Sequence, residues 1–451
     1  MPTVLHLKTE EVDTIEKRGK YTVSVIGCGQ KGVLYATAFA EAGFKVICTD
    51  ADQSLVKRLA KGKMLFSERE VESKLKRFAG TGQLSVTSEM KSAISQSDII
   101  IMTITAKIDD KKNPDYSEAE NSCKQVGAAL RRGTLVIYGG IAGFGFTEGV
   151  IKVTLENTSG LRVGEDFGLA YCPIQTPTGQ SAESIDNQEL KVAAIDKTSL
   201  DAASTVLATI TKKGVKQIIN IKTTELAALF TIAKRDVNVA LANELAILCE
   251  KAGLDFFETS KLLDQDVREA SFFPTIAEED SRNEAYLLLE RAENLNTKIR
   301  LLELARQINE SMIRHAVTLA QEVLRSCGKT LRRARVAVLG TMEPETAADT
   351  FVELLEKKGA KVSFYDPMFP KNETSDMARV LRRSLNEAVE GSDCIIVLSG
   401  HDQFKRLNLK KLRAVMRMPA AIVDLTGIIE PQRVEKEGFL YRGLGRGVEK
   451  K

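Results

Sequence analysis

The 451-residue chain has only 3 histidines, His6, His315 and His401, and no two of them lie at helical spacing, so a histidine-based metal centre is not expected. Its 7 cysteines are odd in number, scattered and without any Cys-x-x-Cys spacing, which argues against both a disulfide framework and a zinc site. Free thiols of this kind point to a reducing, cytoplasmic setting. No apolar run approaches the roughly 18 residues that span a bilayer, so no membrane is expected as a partner. Met1 to Lys20 is polar, with Glu10, Glu11 and Asp13, unlike a signal peptide. An excess of one charge is missing too: 64 basic residues nearly cancel 61 acidic ones, leaving +3, and nucleic acid is not expected as a partner either. With only 10 prolines, 43% hydrophobic residues and no low-complexity tract, the chain reads as globular. At roughly 100–200 residues per domain, two to four domains fit its length.

What is present begins with a turn. Tyr21 to Ile26 is a β-branched run that ends in Gly27-Cys28-Gly29-Gln30-Lys31-Gly32 and passes into a helical stretch, Val33 to Ala42, stopped by Gly43. The three glycines permit a tight turn, close backbone approach to a diphosphate and close packing of helix on strand, while the helix start offers free N–H groups to the anion. A second strand, Phe44 to Thr49, ends in Asp50, 23 residues beyond Gly27 and near where a carboxylate accepts ribose hydroxyls. An acid there, with no basic residue directly after it, favours NAD over its 2′-phosphorylated relative. Gly27, Gly29, Gln30, Lys31, Gly32 and Asp50 are thus the expected cofactor contacts, with Asp52 a competitor for the role of Asp50. The competing reading is a turn that merely packs.

The α/β alternation continues through a helix near Met90 to Ser95, a strand from Asp98 to Ile104 and another from Thr134 to Tyr138, which runs into the glycine-rich stretch Gly139 to Gly145. Gly139 and Gly140 stand at the carboxyl end of a parallel strand, where ligands of open α/β sheets lie. Two readings stay side by side for them: a contact with the cofactor, or a flexible connection from strand to helix. Thr223 to Gly253 then reads as one long helix, because Leu226, Leu229, Phe230, Ala233, Val237, Leu241, Leu245 and Leu248 recur at spacings of three and four. Leu301 to Cys327 reads as a second. A new α/β series follows the basic patch Lys329 to Arg335: strand Arg335 to Leu339, helix Ala347 to Gly359, and strands Lys361 to Tyr365, Asp393 to Leu398 and Ala421 to Leu425. Arg332, Arg333 and Arg335 in that patch fit either an anionic ligand or a solvated turn. The expected fold is α/β, with two Rossmann-like doubly wound domains joined by a long-helix spine. Its expected divisions are a NAD-binding domain over 1–215, a helical spine and dimerisation domain over 216–328 and a second nucleotide-binding domain over 329–451.

From about Thr22 to Gly447 these landmarks resemble the UDP-glucose/GDP-mannose dehydrogenase family of nucleotide-sugar 6-dehydrogenases. The likeness rests on Val25 to Gly32 with Asp50, on Glu165 to Pro173, on Arg235-Asp236-Val237-Asn238 leading to Asn243-Glu244, and on four motifs of the last third. Those are Tyr365-Asp366-Pro367, Gly400 to Phe404, Val423 to Gly427 and Gly443 to Gly447. The resemblance implies NAD in the N-terminal domain, a nucleotide sugar in the C-terminal one, a homodimer formed on the spine, and oxidation of a primary alcohol to a carboxylate in two hydride transfers. The second transfer needs a cysteine thiolate, because the aldehyde must become a thiohemiacetal before it gives up another hydride.

The chain departs from that pattern at the residues that do the chemistry. The loop before Tyr286 reads Phe273 to Arg282 without a cysteine, and Asp280 falls near the nucleophile's place. The acid after the tyrosine strand is Ile174, the lysine of the spine helix is Ala228, and the asparagine one turn later is Ile232. A Ser-Thr motif is replaced by Gly139 to Gly145, and the lysine and arginine after Gly340 are absent from Thr341 to Thr346. Cys172 is the nearest displaced thiol. Three expectations follow: an NAD-dependent oxidoreductase with altered, two-electron chemistry on a hydroxyl of a nucleotide sugar or related substrate, with Asp280 as the candidate base; a catalytically inactive NAD- or nucleotide-sugar-binding protein that acts as a regulator or partner of an active relative; or the usual two-step oxidation through the displaced thiol of Cys172.

Overall fold

A computed structural model describes residues 4–63, 69–109, 111–174, 185–263, 273–276, 284–340, 346–367 and 381–447. By compactness the chain divides into two units, one made of Met1–Ile232 with Asn283–Lys298, the other of Ala233–Arg282 with Ile299–Lys451. The first unit is therefore discontinuous: a segment from the far side of the long helix returns to it.

The strands in chain order are β1 Thr22–Ile26, β2 Lys45–Thr49, β3 Leu84–Thr87, β4 Ile99–Met102, β5 Lys107–Ile108, β6 Pro114–Asp115, β7 Leu135–Tyr138, β8 Gly168–Tyr171, β9 Leu190–Ala194 and β10 Val215–Ile218, then β11 Arg335–Leu339, β12 Lys361–Tyr365, β13 Cys394–Val397, β14 Ala421–Asp424 and β15 Leu440–Gly443. The first unit holds an eight-stranded sheet in the order β10-β9-β8-β7-β4-β1-β2-β3. All its pairings are parallel except β8 with β9, and β5 pairs with β6 as a separate short hairpin. Strands β4 and β7 are apolar at every residue and fully buried, as central parallel strands with both faces covered must be. Strand order reverses between β1, which pairs with β2 on one side, and β4 on the other, and the crevice at such a reversal is where open α/β sheets take their ligands.

The second unit holds a five-stranded, wholly parallel sheet in the order β12-β11-β13-β14-β15. Two apolar layers cover it: one joins Phe351, Val352 and Leu355 to Val336 and Val338, and the other joins Phe404, Leu412 and Val434 to Ile395 and Ile422. Helix Arg300–Ser326 lays Met312, Ala316, Ala320 and Val323 into the first of these layers.

Several elements differ from the expectation. The helix after β1 begins at Gln30 rather than Val33, because the last residues of the glycine turn are already its first turn. The strand expected over Asp98 to Ile104 is confined to β4. Strands β3, β5, β6, β9, β10 and β15 are not among those expected; β10 is the plainest case, its sequence Val-Lys-Gln-Ile offering no apolar run. The long helix runs Ile221–Ala252 and the second Arg300–Ser326, each displaced by a residue or two.

Candidate functional site

The turn after β1 is built from three strand ends. Gly27 has φ +88°, a left-handed value that favours glycine. Its N–H donates to the Thr49 carbonyl at the end of β2 (2.9 Å), and its own carbonyl accepts from Thr103 Oγ1 just past β4 (2.7 Å). A Cβ on Gly32 would run into the Gly27 carbonyl, so the third glycine is required by the helix packing on the turn. Gly29 differs: it caps helix Gln30–Glu41, and a Cβ there would meet nothing within 4 Å. Its bare backbone faces open space at a helix start, where the first N–H groups have no intrahelical acceptor, which fits the diphosphate of a dinucleotide.

The two acids after β2 have separate tasks. Asp50 accepts the Cys28 N–H through Oδ2 (2.7 Å) and the Asp52 N–H through Oδ1 (2.9 Å), so its carboxylate stands against the glycine turn. Asp52 caps helix Gln53–Leu59 by accepting the Ser54 N–H (2.7 Å). Asp50 is thus the acid tied directly to the glycine turn, while Asp52 holds the start of the next helix. Lys31 points to Glu284, with its ammonium 3.1 Å from the carboxylate.

Gly139 and Gly140 directly follow β7, and both are buried. A Cβ on Gly139 would lie 2.8 Å from the Tyr35 ring, and one on Gly140 would collide with the Ile104 carbonyl. Packing alone thus demands glycine at both. Tyr35, wholly buried, donates to the Cys172 carbonyl (2.5 Å). Tyr138 and Tyr171, register partners at the carboxyl ends of β7 and β8, set their rings 5.7 Å apart, and Phe146 adds a third ring 5.8 Å from Tyr138. Beside them Glu225, 2% exposed, accepts the Gly145 N–H and both the N–H and the hydroxyl of Thr147. Burial pushes its carboxyl above the ordinary value, while those donors pull it down.

At the positions where the resemblance implies an acid and a lysine, the side chains are apolar and packed. Ile174 is 1% exposed within the same cluster as Tyr35 and Cys172, and Ala228 is 4% exposed. Cys172 is itself wholly enclosed, and burial pushes its thiol up to about 12, so it supplies no thiolate. Asp280 and the segment Thr341 to Glu345 lie outside the described residues. Among the described residues no cluster of histidine, cysteine, aspartate or glutamate has the arrangement of a metal site, and no helix is long and apolar enough to cross a membrane. Sequence reasoning missed Thr103, Tyr35, Glu225 and Glu284, since each acts through a neighbour remote in the chain and none carries a motif.

In the second unit the motifs of the last third gather at one edge. Asp366 follows β12, Gly400 to Phe404 follow β13, Leu425 to Gly427 follow β14 and Leu444 to Gly447 follow β15, so all four stand at the carboxyl ends of parallel strands. Asp424, fully buried, organises that edge: it accepts from Thr426 N and Oγ1, Gly427 N, Ile429 N and Tyr441 Oη. Arg446 donates to the Gly427 and Ile429 carbonyls at 2.8 Å each. Arg332 and Arg333 precede β11 and sit at its amino end, away from this edge, in a turn where Arg333 has φ +69°.

A glycine turn at a sheet reversal and a second parallel sheet with its loops at the carboxyl edge define a doubly wound α/β protein with two Rossmann-like sheets. The chain belongs to the UDP-glucose/GDP-mannose dehydrogenase family. Residues 21–211 match that family's NAD binding domain, 222–311 its central domain and 344–431 its UDP binding domain. It is 30% identical over 434 residues to a UDP-N-acetyl-D-mannosamine dehydrogenase of Pyrococcus horikoshii, covering 94% of this chain and 99% of that one. It is 24% identical to a UDP-glucose 6-dehydrogenase of Rhizobium meliloti over 446 residues, with coverage of 94% and 99%. A solved structure of UDP-D-ManNAc dehydrogenase from Pyrococcus horikoshii superposes with a TM-score of 0.79 at 28% identity, covering 94% of this chain and 99% of that one. NAD is the cofactor, the chain is an oxidoreductase by family, and its fold is the α/β plan with two Rossmann-like sheets.

Proposed function

We propose that the chain binds NAD at the turn after β1 and carries out a single two-electron exchange on a hydroxyl of a nucleotide sugar or related anionic substrate, rather than the two-step oxidation to a carboxylate. The observation that carries this reading is a contrast within one unit. The dinucleotide turn is complete, from the open face of Gly29 to the Asp50 carboxylate, while the expected acid and lysine are the packed Ile174 and Ala228. Gly27, Gly29, Gln30, Lys31, Gly32 and Asp50 hold the cofactor, Gly139 and Gly140 shape the strand end beside it, and bound NAD supplies the hydride acceptor. Without a thiolate no thiohemiacetal can form, so the family's covalent route from the aldehyde to a second hydride transfer is closed. Asp280 is the proposed base. Absorbance at 340 nm with a panel of nucleotide sugars tests the reading: one NADH per substrate and a carbonyl product are expected, and two NADH with a carboxylate product would sink it.

A second reading, a binding-only partner of an active relative, is favoured by the packing at β7 and β8. There Tyr35, Tyr138, Tyr171 and Ile174 fill the strand ends, each at most 1% exposed. NAD binding with no turnover in either direction would select it. We also propose a homodimer, formed on the helical pair of the second unit. Leu241, Leu245 and Leu248 lie on one face of helix Ile221–Ala252 and are 43–61% exposed, and the net charge of +3 gives two copies little reason to repel.

A further inference from the structure

Lys31 and Glu284 are 253 residues apart in the chain, yet their side chains form an ion pair while only 15% and 10% exposed. Lys31 is the second residue of helix Gln30–Glu41, directly after the open face of Gly29, so its ammonium rises from the turn assigned to the diphosphate. Glu284 is the residue before helix Ala285–Asn294. That helix is fastened to the first unit at two other points: the Lys112 ammonium lies 5.3 Å over the Tyr286 ring, and Arg291 packs against Gly143 so closely that a Cβ there would come within 2.5 Å of its Nε. One end of the returning segment is therefore pinned by a carboxylate beside a site that must accept a dianion.

A diphosphate at this turn attracts Lys31 and repels Glu284, and the lysine cannot satisfy both anions as fully as it satisfies one. We infer that Lys31 is a diphosphate-contact residue held in reserve by Glu284. Cofactor binding transfers the ammonium from the carboxylate to the diphosphate and loosens helix Ala285–Asn294 from the turn. The inference rests on the dinucleotide reading of the turn. Because coupling is reciprocal, whatever fastens Glu284 to Lys31 weakens cofactor binding by the factor by which the cofactor unfastens it. Neither Asp50, engaged with Cys28 and Asp52, nor Thr103, engaged with Gly27, would have this effect, since their bonds hold the turn and involve no residue of the returning segment.

Calorimetry and hydrogen exchange on the full chain test it with three ligands: NAD, ADP-ribose, which keeps the diphosphate, and AMP, which lacks it. NAD and ADP-ribose are expected to speed exchange in residues 285–294 severalfold, and AMP to leave it unchanged. Glu284→Gln, nearly isosteric, is expected to tighten NAD and ADP-ribose by about fivefold or more, with fast exchange before any ligand is added. Lys31→Met is expected to weaken both by about tenfold and to abolish the response of the helix to ligand. If NAD binds the parent chain while Glu284→Gln shifts its affinity less than twofold and exchange in 285–294 ignores the ligand, the coupling is overturned and the dinucleotide reading stands. If neither the folded parent nor Glu284→Gln binds NAD or ADP-ribose, both are overturned.

Discussion

Single residues decide whether the turn folds and whether it binds, and the two can be separated. Gly32→Ala puts a Cβ into the Gly27 carbonyl; overpacking of this kind costs about 1–3 kcal/mol, so thermal unfolding should occur several degrees lower and NAD affinity should fall with it. Gly29→Ala meets no protein atom. Its melting temperature should stay near the parent's while calorimetry shows the loss of NAD affinity, because the methyl group occupies ligand space only. Glu225 gives a prediction in pH. Burial holds its folded carboxyl above the ordinary 4.5, and an acid raised by folding contributes stability that is complete below about pH 4.5 and is lost as pH rises through the raised value. Glu225→Gln has no such loss to suffer. The melting-temperature advantage of the parent over this variant should therefore shrink between pH 4.5 and pH 7; an advantage that grows over that range would contradict the assignment.

Elements explain what residues alone leave open. Helix Ile221–Ala252 turns one face inward, with Ala242 and Ala246 buried, and leaves Leu241 at 56% and Leu248 at 61% exposure on the other. Small residues on the packed face and large apolar ones outside are the reverse of what a solvated helix shows. Leu241→Glu with Leu248→Glu should convert a dimer to a monomer in size-exclusion chromatography with light scattering, without loss of helicity by circular dichroism. A dimer that survives both changes would remove this face from consideration. The same helix carries a buried ion pair, Asp236 with Arg306 at 2.6 Å, which Asn309 completes by donating to Asp236 Oδ1 and to its backbone carbonyl. Removing one partner strands a charge, and Arg306→Met should cost about 3–5 kcal/mol in denaturant unfolding.

At the scale of the whole molecule the first unit depends on residues that the chain delivers late. Helix Ala285–Asn294 belongs to it, with Leu287 and Leu288 buried. A chain ending at Ile232 lacks that piece. It should melt below the full chain, and a peptide of residues 284–298 added in excess should raise its melting temperature by binding the folded form. No shift at any peptide concentration would show that the returning segment adds nothing to this unit.

Much of this was legible in the order of the residues. The runs of β-branched residues ending at Gly27 and Gly340, the 23-residue step from Gly27 to Asp50 and the three-four spacing of the long helices are local patterns. Local patterns survive folding because strand alternation and helix periodicity are fixed by neighbours in the chain. They sufficed for the α/β class, the glycine turn with its acid and the two sheets. What they could not hold is anything made between remote segments: the Asp50 carboxylate on the Cys28 N–H, the Tyr35 ring that makes Gly139 a packing requirement, the burial of Glu225, and the Lys31–Glu284 pair. Distance through space and exclusion of water decide those roles, and both come into being only when the strands are laid side by side.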